Sequence, residues 1–442
     1  MKNESVESRR NSIRKRRKIL LVFEIIVAIC IIFAGLVIFV PGVRTKMVSA
    51  LSQTEIGRNI IKHYGKELYD DNVYDVEFDE NKIIKNDIEY NYSTEYTNFI
   101  IFGVDTREAE LDTGTHSDSN LIVSIHNTTG EVKIISVYRD TFLRILYDGT
   151  YMYDKINAAY FKGGAEAAIN TFNTNLDLDL TDYVTVNFAG VSKIIDCLGG
   201  IEVNLTKDEL AQLNYHLEGT AIATGEYATK VENYGENIHL NGVQATTYCR
   251  IRKATYYDPD TGDSVSNDFG RAARQRAVVM KLVEKAKDAS VSELTDMLNT
   301  VLESSHEGNP IVKTSFTMDE MIDLIPVIFK FSLSGSEGFP RKLTTGYIGK
   351  TSYVFAKGLS RNVSLLHEFL FGEKDYVPSN DVQEISSDLI YETGIGEDDS
   401  DNYVDDTIRK VSDKPEETEE ETEENVSKNF DYDDGGESDF MR

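Results

Sequence analysis

The sequence predicts an α/β protein with a layered core, and three features of its 442 residues carry that prediction. Short β-rich apolar runs recur, amphipathic helical patterns separate them, and Gly, Asn or Asp marks the junctions. The first run, Asn98-Phe99-Ile100-Ile101-Phe102, stops at Gly103 and reads as a buried strand feeding a loop. Residues 120–126 and 131–137 read as two more strands, joined by Asn127-Thr128-Thr129-Gly130 as a hairpin turn. A helix over 163–172, an alternating strand over 183–188, a helix over 191–198 stopped by Gly199, and a strand over 201–205 follow. Asn241 with Gln244 three positions on has the capping-box pattern of a helix start, which puts Arg250 and Arg252 at that helix's exit. Asp268 is read as the cap of a longer helix reaching about residue 287, with Val278, Val279, Leu282 and Val283 as its apolar stripe. Arg271 and Arg274 lie three apart on one face of its first turns. Helical pattern returns over 318–331 and 363–371.

Appendages frame this core. Residues 19–40 form an almost unbroken apolar run, about 33 Å long as a helix and sufficient to cross a hydrocarbon core. The basic segment 1–18 precedes it, with five consecutive cations from Arg14 to Lys18, whereas only Arg44 and Lys46 follow closely. The positive-inside rule therefore predicts a single-pass anchor with a cytoplasmic N-terminus and everything after Pro41 outside. The run exceeds the h-region of a cleaved signal peptide, and Glu24 lies near enough to the cytoplasmic end to reach the headgroups. Residues 41–96 read as an extracytoplasmic stalk or accessory segment, 97–290 as the main domain and 291–372 as its helical completion. Beyond Glu373 the composition turns acidic, most strongly from Glu416 to Glu424, and 373–442 is expected to be a disordered tail that adds nothing to stability.

The net charge of −29 is segregated along the chain, so it says little about any one site. It disfavours nucleic-acid binding, which needs clustered Lys and Arg to release counterions. Of the three cysteines, Cys30 lies in the apolar run, leaving Cys197 and Cys249 either as a bridge or, as free Cys usually is, as packed thiols. No His/Cys group has zinc-ligand spacing.

Three carboxylates and several arginines fall at element ends, where α/β folds gather side chains into a cleft. Asp105 follows the first strand, Asp118 precedes the hairpin, and Arg139-Asp140 closes it. Arg107, Arg139, Arg250, Arg252, Arg271 and Arg274 accompany them, and guanidinium forks suit bidentate binding of phosphate. Carboxylate and phosphate oxygens together are Mg²⁺ ligands.

Gly103-Val104-Asp105-Thr106-Arg107, Ser117-Asp118, Ser136-Val137-Tyr138-Arg139-Asp140, Lys155-Ile156-Asn157-Ala158-Ala159-Tyr160 with Gly163-Gly164, and Asp182-Tyr183-Val184 occur in that order. The stretch from Asp196 to Ile201, Leu240-Asn241-Gly242-Val243-Gln244-Ala245, Tyr248-Cys249-Arg250-Ile251-Arg252, and Asp268-Phe269-Gly270-Arg271 with Arg274-Gln275 continue the series. From Asn98 to Leu282 the chain thus resembles the LytR-CpsA-Psr family of cell-wall glycopolymer ligases. The resemblance implies a central mixed β-sheet flanked by helices, an apolar pocket for a polyprenyl chain, and Mg²⁺ on the pyrophosphate. It assigns Asp105 and Asp118 to the metal, and Arg139, Arg250, Arg252, Arg271 and Arg274 to the pyrophosphate, for which Arg107 and Gln275 are further candidates. Asp105, Asp118 and Arg139 are then the catalytic candidates, with a polyprenyl-pyrophosphate-linked glycan as donor and peptidoglycan as acceptor. Two positions depart from the pattern. His116 stands where the family often has Arg, exchanging a permanent guanidinium charge for an imidazole. Tyr138 replaces a frequent Pro and removes a rigid turn before Arg139. A pyrophosphatase acting on the same carrier, or a membrane-anchored protein that only binds glycan or lipid, are the rival readings.

Overall fold

The computed structural model describes residues 78–397, apart from 89–91, 107–110, 112, 260, 307–309, 318–319, 322–323 and 325–326, together with 411–412. The basic segment, the apolar run 19–40 and Arg107 lie outside the described residues. Among the described residues no helix is long and apolar enough to cross a membrane.

A six-stranded mixed sheet organises the chain. Its strands are β1 (Tyr96–Val104), β2 (Ser117–His126), β3 (Glu131–Val137), β6 (Asp182–Val186), β11 (Val312–Thr314) and β12 (Ser332–Phe339), in the order β11-β6-β1-β2-β3-β12. The pairings β1 with β6 and β3 with β12 are parallel, and those of β2 with β1 and with β3, like that of β11 with β6, are antiparallel. Four strands therefore end at one edge, where β2 begins. Between β3 and β6 come the hairpin β4 (Phe142–Tyr147) and β5 (Thr150–Lys155) and the helix α1 (Asn157–Leu176). After β6 come α2 (Phe188–Cys197), β7 (Ile201–Leu205), α3 (Lys207–Thr224), β8 (Gly235–Leu240), α4 (Gly242–Tyr248), the short pair β9 (Tyr256–Tyr257) and β10 (Ser264–Val265), α5 (Asn267–Asp288) and α6 (Val291–His306). The hairpin β13 (Leu343–Ile348) and β14 (Thr351–Ala356), then α7 (Leu359–Phe371) and α8 (Asn380–Thr393), follow β12.

Period-2 alternation gives the sheet two apolar faces. Ile100 and Phe102 of β1, Ile122 of β2, and Ile135 and Val137 of β3 are buried with α1, α7 and α8 in one cluster. Leu121, Val123, Ile125, Val132 and Ile134 point the other way, toward α5. The faces differ in closure: Ile100 and Phe102 are fully buried, while Phe99 and Ile101 of β1 and Val184 of β6, on the α5 and α6 side, are only half-buried. A separate cluster joins α3, β7, β8 and α4 to Val278 of α5.

Three expectations are corrected. The stretch 291–372 is not a helical completion, because β12 extends the central sheet along β3 and β13 and β14 form a second sheet. Within 41–96, the described residues from 78 onward are part of the domain: Phe78, Ile83 and Ile88 pack on the core, and Tyr92 is fully buried, stacked 3.9 Å from Phe371. The tail beginning at 373 contains α8, whose Val382, Ile385 and Leu389 are buried in the main cluster. Asp177, the left-handed C-cap of α1, fastens both additions. Its carboxylate accepts from Asn86 Nδ2 at 2.7 Å, from Ser379 N at 2.7 Å, and from Ser379 Oγ at 2.6 Å. Cys197 and Cys249 are both free thiols.

Truncation after Tyr376 should therefore lower the melting temperature by about 10 °C or more, since three buried aliphatic side chains at roughly 1.5–3 kcal/mol each leave the core. Thermal unfolding of the truncated chain checks this, and an unchanged midpoint contradicts it. Acid sensitivity should centre on His367. Its Nε2 lies 2.9 Å from the Leu176 carbonyl and its Nδ1 2.8 Å from the Tyr92 hydroxyl. Burial pulls its pKa down from 6.5 to about 4, against the opposing pull of the Leu176 carbonyl and Asp177. The unfolded chain takes up the proton first, so this stabilisation is complete above about pH 6.5 and is lost as pH falls toward 4, roughly 3 kcal/mol in all. His367→Gln, which cannot titrate, should flatten the dependence of the melting temperature on pH across that window relative to wild type.

Candidate active site

The edge where β1, β3, β6 and β12 end carries the polar constellation. The β1–β2 register pairs Gly103 with Ser119 and Val104 with Ser117, so Asp118 is the extra residue of a β-bulge. A bulge re-aims a side chain, and this one presents the Asp118 carboxylate at the sheet edge. Asp105 is exposed just past the end of β1, at the same edge.

Arg139 leaves β3 two residues after Val137. The turn that presents it needs no proline: Tyr138 N donates to Phe339 O at 3.0 Å, and Thr141 donates to Tyr138 O through N at 3.0 Å and Oγ1 at 2.6 Å. The Tyr138 ring packs edge-on to Phe269 at 4.6 Å and lies against Gly338, where any Cβ would collide with it. Tyr138 thus rebuilds by packing the rigidity lost with proline. Arg139 donates to Asp118 Oδ1 at 2.7 Å, and its Nε is 3.8 Å from Asp140 and 3.9 Å from Asp268.

Two neighbouring elements complete the network. From the β4–β5 hairpin, whose register sets Lys155 opposite Phe142, Lys155 Nζ reaches Asp140 at 3.0 Å. From the first turns of α5, Arg271 contacts Asp268 at 2.9 Å, the Asp118 carbonyl at 3.3 Å and Asp118 Oδ2 at 3.7 Å. Arg252 Nε stands 3.6 Å from Asp268. Burial pushes the Asp118 carboxyl up, but Arg139, Arg271 and Arg252 outweigh it and hold the group below the usual carboxylate range. Asp118 is therefore a fixed anion at neutral pH and a poor proton acceptor. Burial depresses Arg271, with Asp268 and Asp118 opposing it, whereas Asp118, Asp268 and Asp140 overcome burial and raise Arg139. Among the described residues, Arg139 Nε and Arg271 Nε are buried without a hydrogen-bond acceptor.

Of the sequence-predicted residues, Asp105, Asp118, Arg139, Arg252 and Arg271 share this edge. Arg250 sits at its rim, its guanidinium 4.6 Å from the Phe188 ring and donating to Thr220 Oγ1 at 2.9 Å. Arg274 does not join them. Fully buried one turn deeper in α5, it donates from Nε to Glu209 Oε1 at 2.9 Å, from one terminal nitrogen to Ile251 O at 3.1 Å, and from the other to Ala254 O at 2.8 Å. Sealed in the interior, it does not face the edge, and its contact is with the loop that bears Arg250 and Arg252. Gln275 also turns to this loop, 3.5 Å from Cys249 O. Asp268 is likewise not the cap: the N-cap of α5 is Ser266, and the Asp268 carboxylate belongs to the arginine network. Lys155 and Asp268 are the site residues missing from the predicted set. The i,i+3 spacing of Asp268 and Arg271 is the signal for one, and the place of Lys155 at the head of Lys155-Ile156-Asn157-Ala158-Ala159-Tyr160 the signal for the other.

Comparison with known proteins adds three findings. The LytR_cpsA_psr family matches residues 62–326, more than half of the chain. The polyisoprenyl-teichoic acid–peptidoglycan teichoic acid transferase TagU of Bacillus cereus is 32% identical over 232 residues, 52% of this chain and 64% of that protein. TagU of Bacillus subtilis is 32% identical over 226 residues, 51% of this chain and 61% of that protein, so the match spans less than two thirds of either relative. A crystal structure of a Streptococcus agalactiae protein superimposes with a TM-score of 0.51 at 23% identity, covering 65% of this chain and 92% of that one, and shares the fold.

Removing Arg274 should damage stability rather than ligand contact. Arg274→Ala leaves Glu209 buried and uncompensated and is expected to cost about 3–5 kcal/mol in chemical denaturation. A variant as stable as wild type would show that the pair is relieved by local rearrangement.

Proposed function

The chain belongs to the LytR-CpsA-Psr family, and from that premise we propose that it moves a glycopolymer from a polyprenyl-pyrophosphate carrier onto a sugar hydroxyl of peptidoglycan. The observation that carries the proposal is a pair of buried guanidinium nitrogens, Arg139 Nε and Arg271 Nε, that lack hydrogen-bond acceptors among the described residues, at the edge of a half-closed apolar sheet face. A phosphate oxygen satisfies such donors, and the half-buried apolar side chains Phe99, Ile101, Val184 and Val283 of that sheet face suit an isoprenoid chain. The names of the TagU relatives describe the same donor and acceptor classes.

In the proposed reaction the acceptor oxygen attacks the glycan-bearing phosphorus, the bond to the bridging oxygen breaks, and polyprenyl phosphate leaves. Catalysis by this chain is then positioning and charge neutralisation. Arg139, Arg252 and Arg271 take the negative charge that builds on the leaving phosphate, with Lys155 holding Asp140 and so the Arg139 turn. Asp105, exposed at the end of β1, receives the acceptor's proton, a task for which Asp118 is too firmly held as an anion. Asp105 and Asp118 also suit Mg²⁺. Among the described residues no three His, Cys, Asp or Glu side chains form a protein-only cage, and Mg²⁺ is commonly held by one or two carboxylates with substrate phosphates completing its shell. When bound, it neutralises pyrophosphate charge. We place the domain outside the membrane, tethered by 19–40, where both substrates are found.

Incubated with Mg²⁺, a lipid-pyrophosphate glycan and peptidoglycan oligomers, the protein should yield a glycan-phosphate-peptidoglycan adduct detectable by mass. Arg139→Lys should slow its formation at least tenfold, about 1.4 kcal/mol, because a point ammonium cannot reproduce the fork. Release of free glycan phosphate alone, across suitable donors and acceptors, would replace the transferase with a pyrophosphatase.

A further inference from the structure

The two sides of the sheet edge differ in what they offer a ligand. On the α5 and α6 side lies the half-closed apolar face, with Phe99, Ile101 and Val184 partly accessible. On the α1 side the sheet face is sealed, since Ile100, Phe102 and Phe172 are buried. The rim above that sealed face instead carries an aromatic stack. The His116 ring lies 4.6 Å from the ring of Phe161 with an interplanar angle of 17°. Phe161, on α1, is 41% exposed, and His116 is exposed two residues before Asp118. Gly114 N donates to Phe161 O at 2.9 Å, which ties the loop before β2 to α1 and so holds the stack at the start of β2. Two residues further along α1, the ring of Tyr147 lies against Gly163, where an added Cβ would meet it at 2.8 Å, and Tyr147 is 45% exposed.

We propose that the His116–Phe161 stack is the subsite for the sugar ring joined to the pyrophosphate of the donor. The inference rests on the function proposed above and follows from direction. With the lipid on the α5 side and the pyrophosphate among Arg139, Arg252 and Arg271 at the edge, the sugar emerges on the α1 side, where the stack stands. Half-exposed aromatic rings present an apolar face with polar surroundings, which matches the C–H face of a pyranose. The imidazole adds hydrogen-bonding nitrogens at its edge for sugar hydroxyls. A fixed guanidinium at position 116 would bind phosphate in preference; an imidazole stacked on phenylalanine is turned to the sugar. His116 and Phe161 then set specificity for the glycan, while the edge arginines hold the part common to all such donors.

The test compares two ligands on the full chain in detergent: farnesyl pyrophosphate, and farnesyl pyrophosphate carrying one N-acetylhexosamine. His116→Ala and Phe161→Ala should each weaken the sugar-bearing ligand at least about tenfold and leave the bare pyrophosphate within about twofold, with Phe161→Trp retaining the sugar-bearing affinity. Equal weakening of both ligands would mean that the stack only shapes Asp118, and unchanged affinity for both would remove it from the site. Intact donor binding with a raised KM for peptidoglycan would assign the stack to the acceptor and overturn the proposal. Wild-type protein that binds neither ligand would overturn the parent function, and the subsite with it.

Discussion

The buried pair of Glu209 and Arg274 fixes most of what surrounds the site. One carboxylate oxygen of Glu209 closes the capping box of α3, accepting from Thr206 N at 2.9 Å, while the other meets Arg274 Nε at 2.9 Å. The start of α3 is thereby welded to α5 across the second cluster. The two terminal nitrogens of Arg274 donate to the Ile251 and Ala254 carbonyls, so the loop holding Arg250 and Arg252 is set from within. The rings of Tyr248 and Tyr256 flank the guanidinium, each 5.7 Å away. Such a pair is weak evidence for net stability, since removing two charges from water is costly. Its structural effect is definite: an arginine sealed in the interior decides where Arg250 and Arg252 stand.

The sheet contributes the other constraint. Four strands ending at one edge bring residues far apart in sequence together, and the bulge at Asp118 turns a carboxylate into the space between Arg139 and Arg271. Because Lys155 and Arg252 enter from different elements, loss of one contact leaves the others in place. The unequal closure of the two sheet faces follows from what covers them. Side chains of α1, α7 and α8 fill one face completely, whereas on the other Val279, Met280 and Val283 of α5 remain half-buried.

Much of this is written locally in the sequence. Asn241 and Gln244 form the capping box expected of them, β3 occupies 131–137 as its apolar pattern predicts, and Asp105, Asp118 and Arg139 fall at one edge because strand ends are marked by glycine and polar residues. What stays hidden is set by tertiary packing. Arg271 and Arg274 are indistinguishable by spacing, yet one turn of helix separates an arginine at the site from one sealed in the interior. The strand Ser332–Phe339 reads Ser-Leu-Ser-Gly-Ser-Glu-Gly-Phe, with little apolar content, and is a strand because β3 offers a parallel partner. The helix Asn380–Thr393 is masked by the acidic composition around it, although Val382, Ile385 and Leu389 share the spacing of one helical face.

The charge pattern at the edge bears on which ligand suits it. Arg139, Lys155, Arg252 and Arg271 alternate with Asp118, Asp140 and Asp268, so each guanidinium already faces a carboxylate. Isolated arginines at this density would repel one another; interleaved carboxylates hold them close without that cost. A bare anion gains less from such a network than from an unpaired cluster, because it must share Arg139 with Asp118. An anion that arrives with a divalent cation meets a complement for both halves of the pair, carboxylate for the cation and guanidinium for the phosphate. Under the proposed function, the network therefore discriminates in favour of a metal-accompanied pyrophosphate over a simple monoanion.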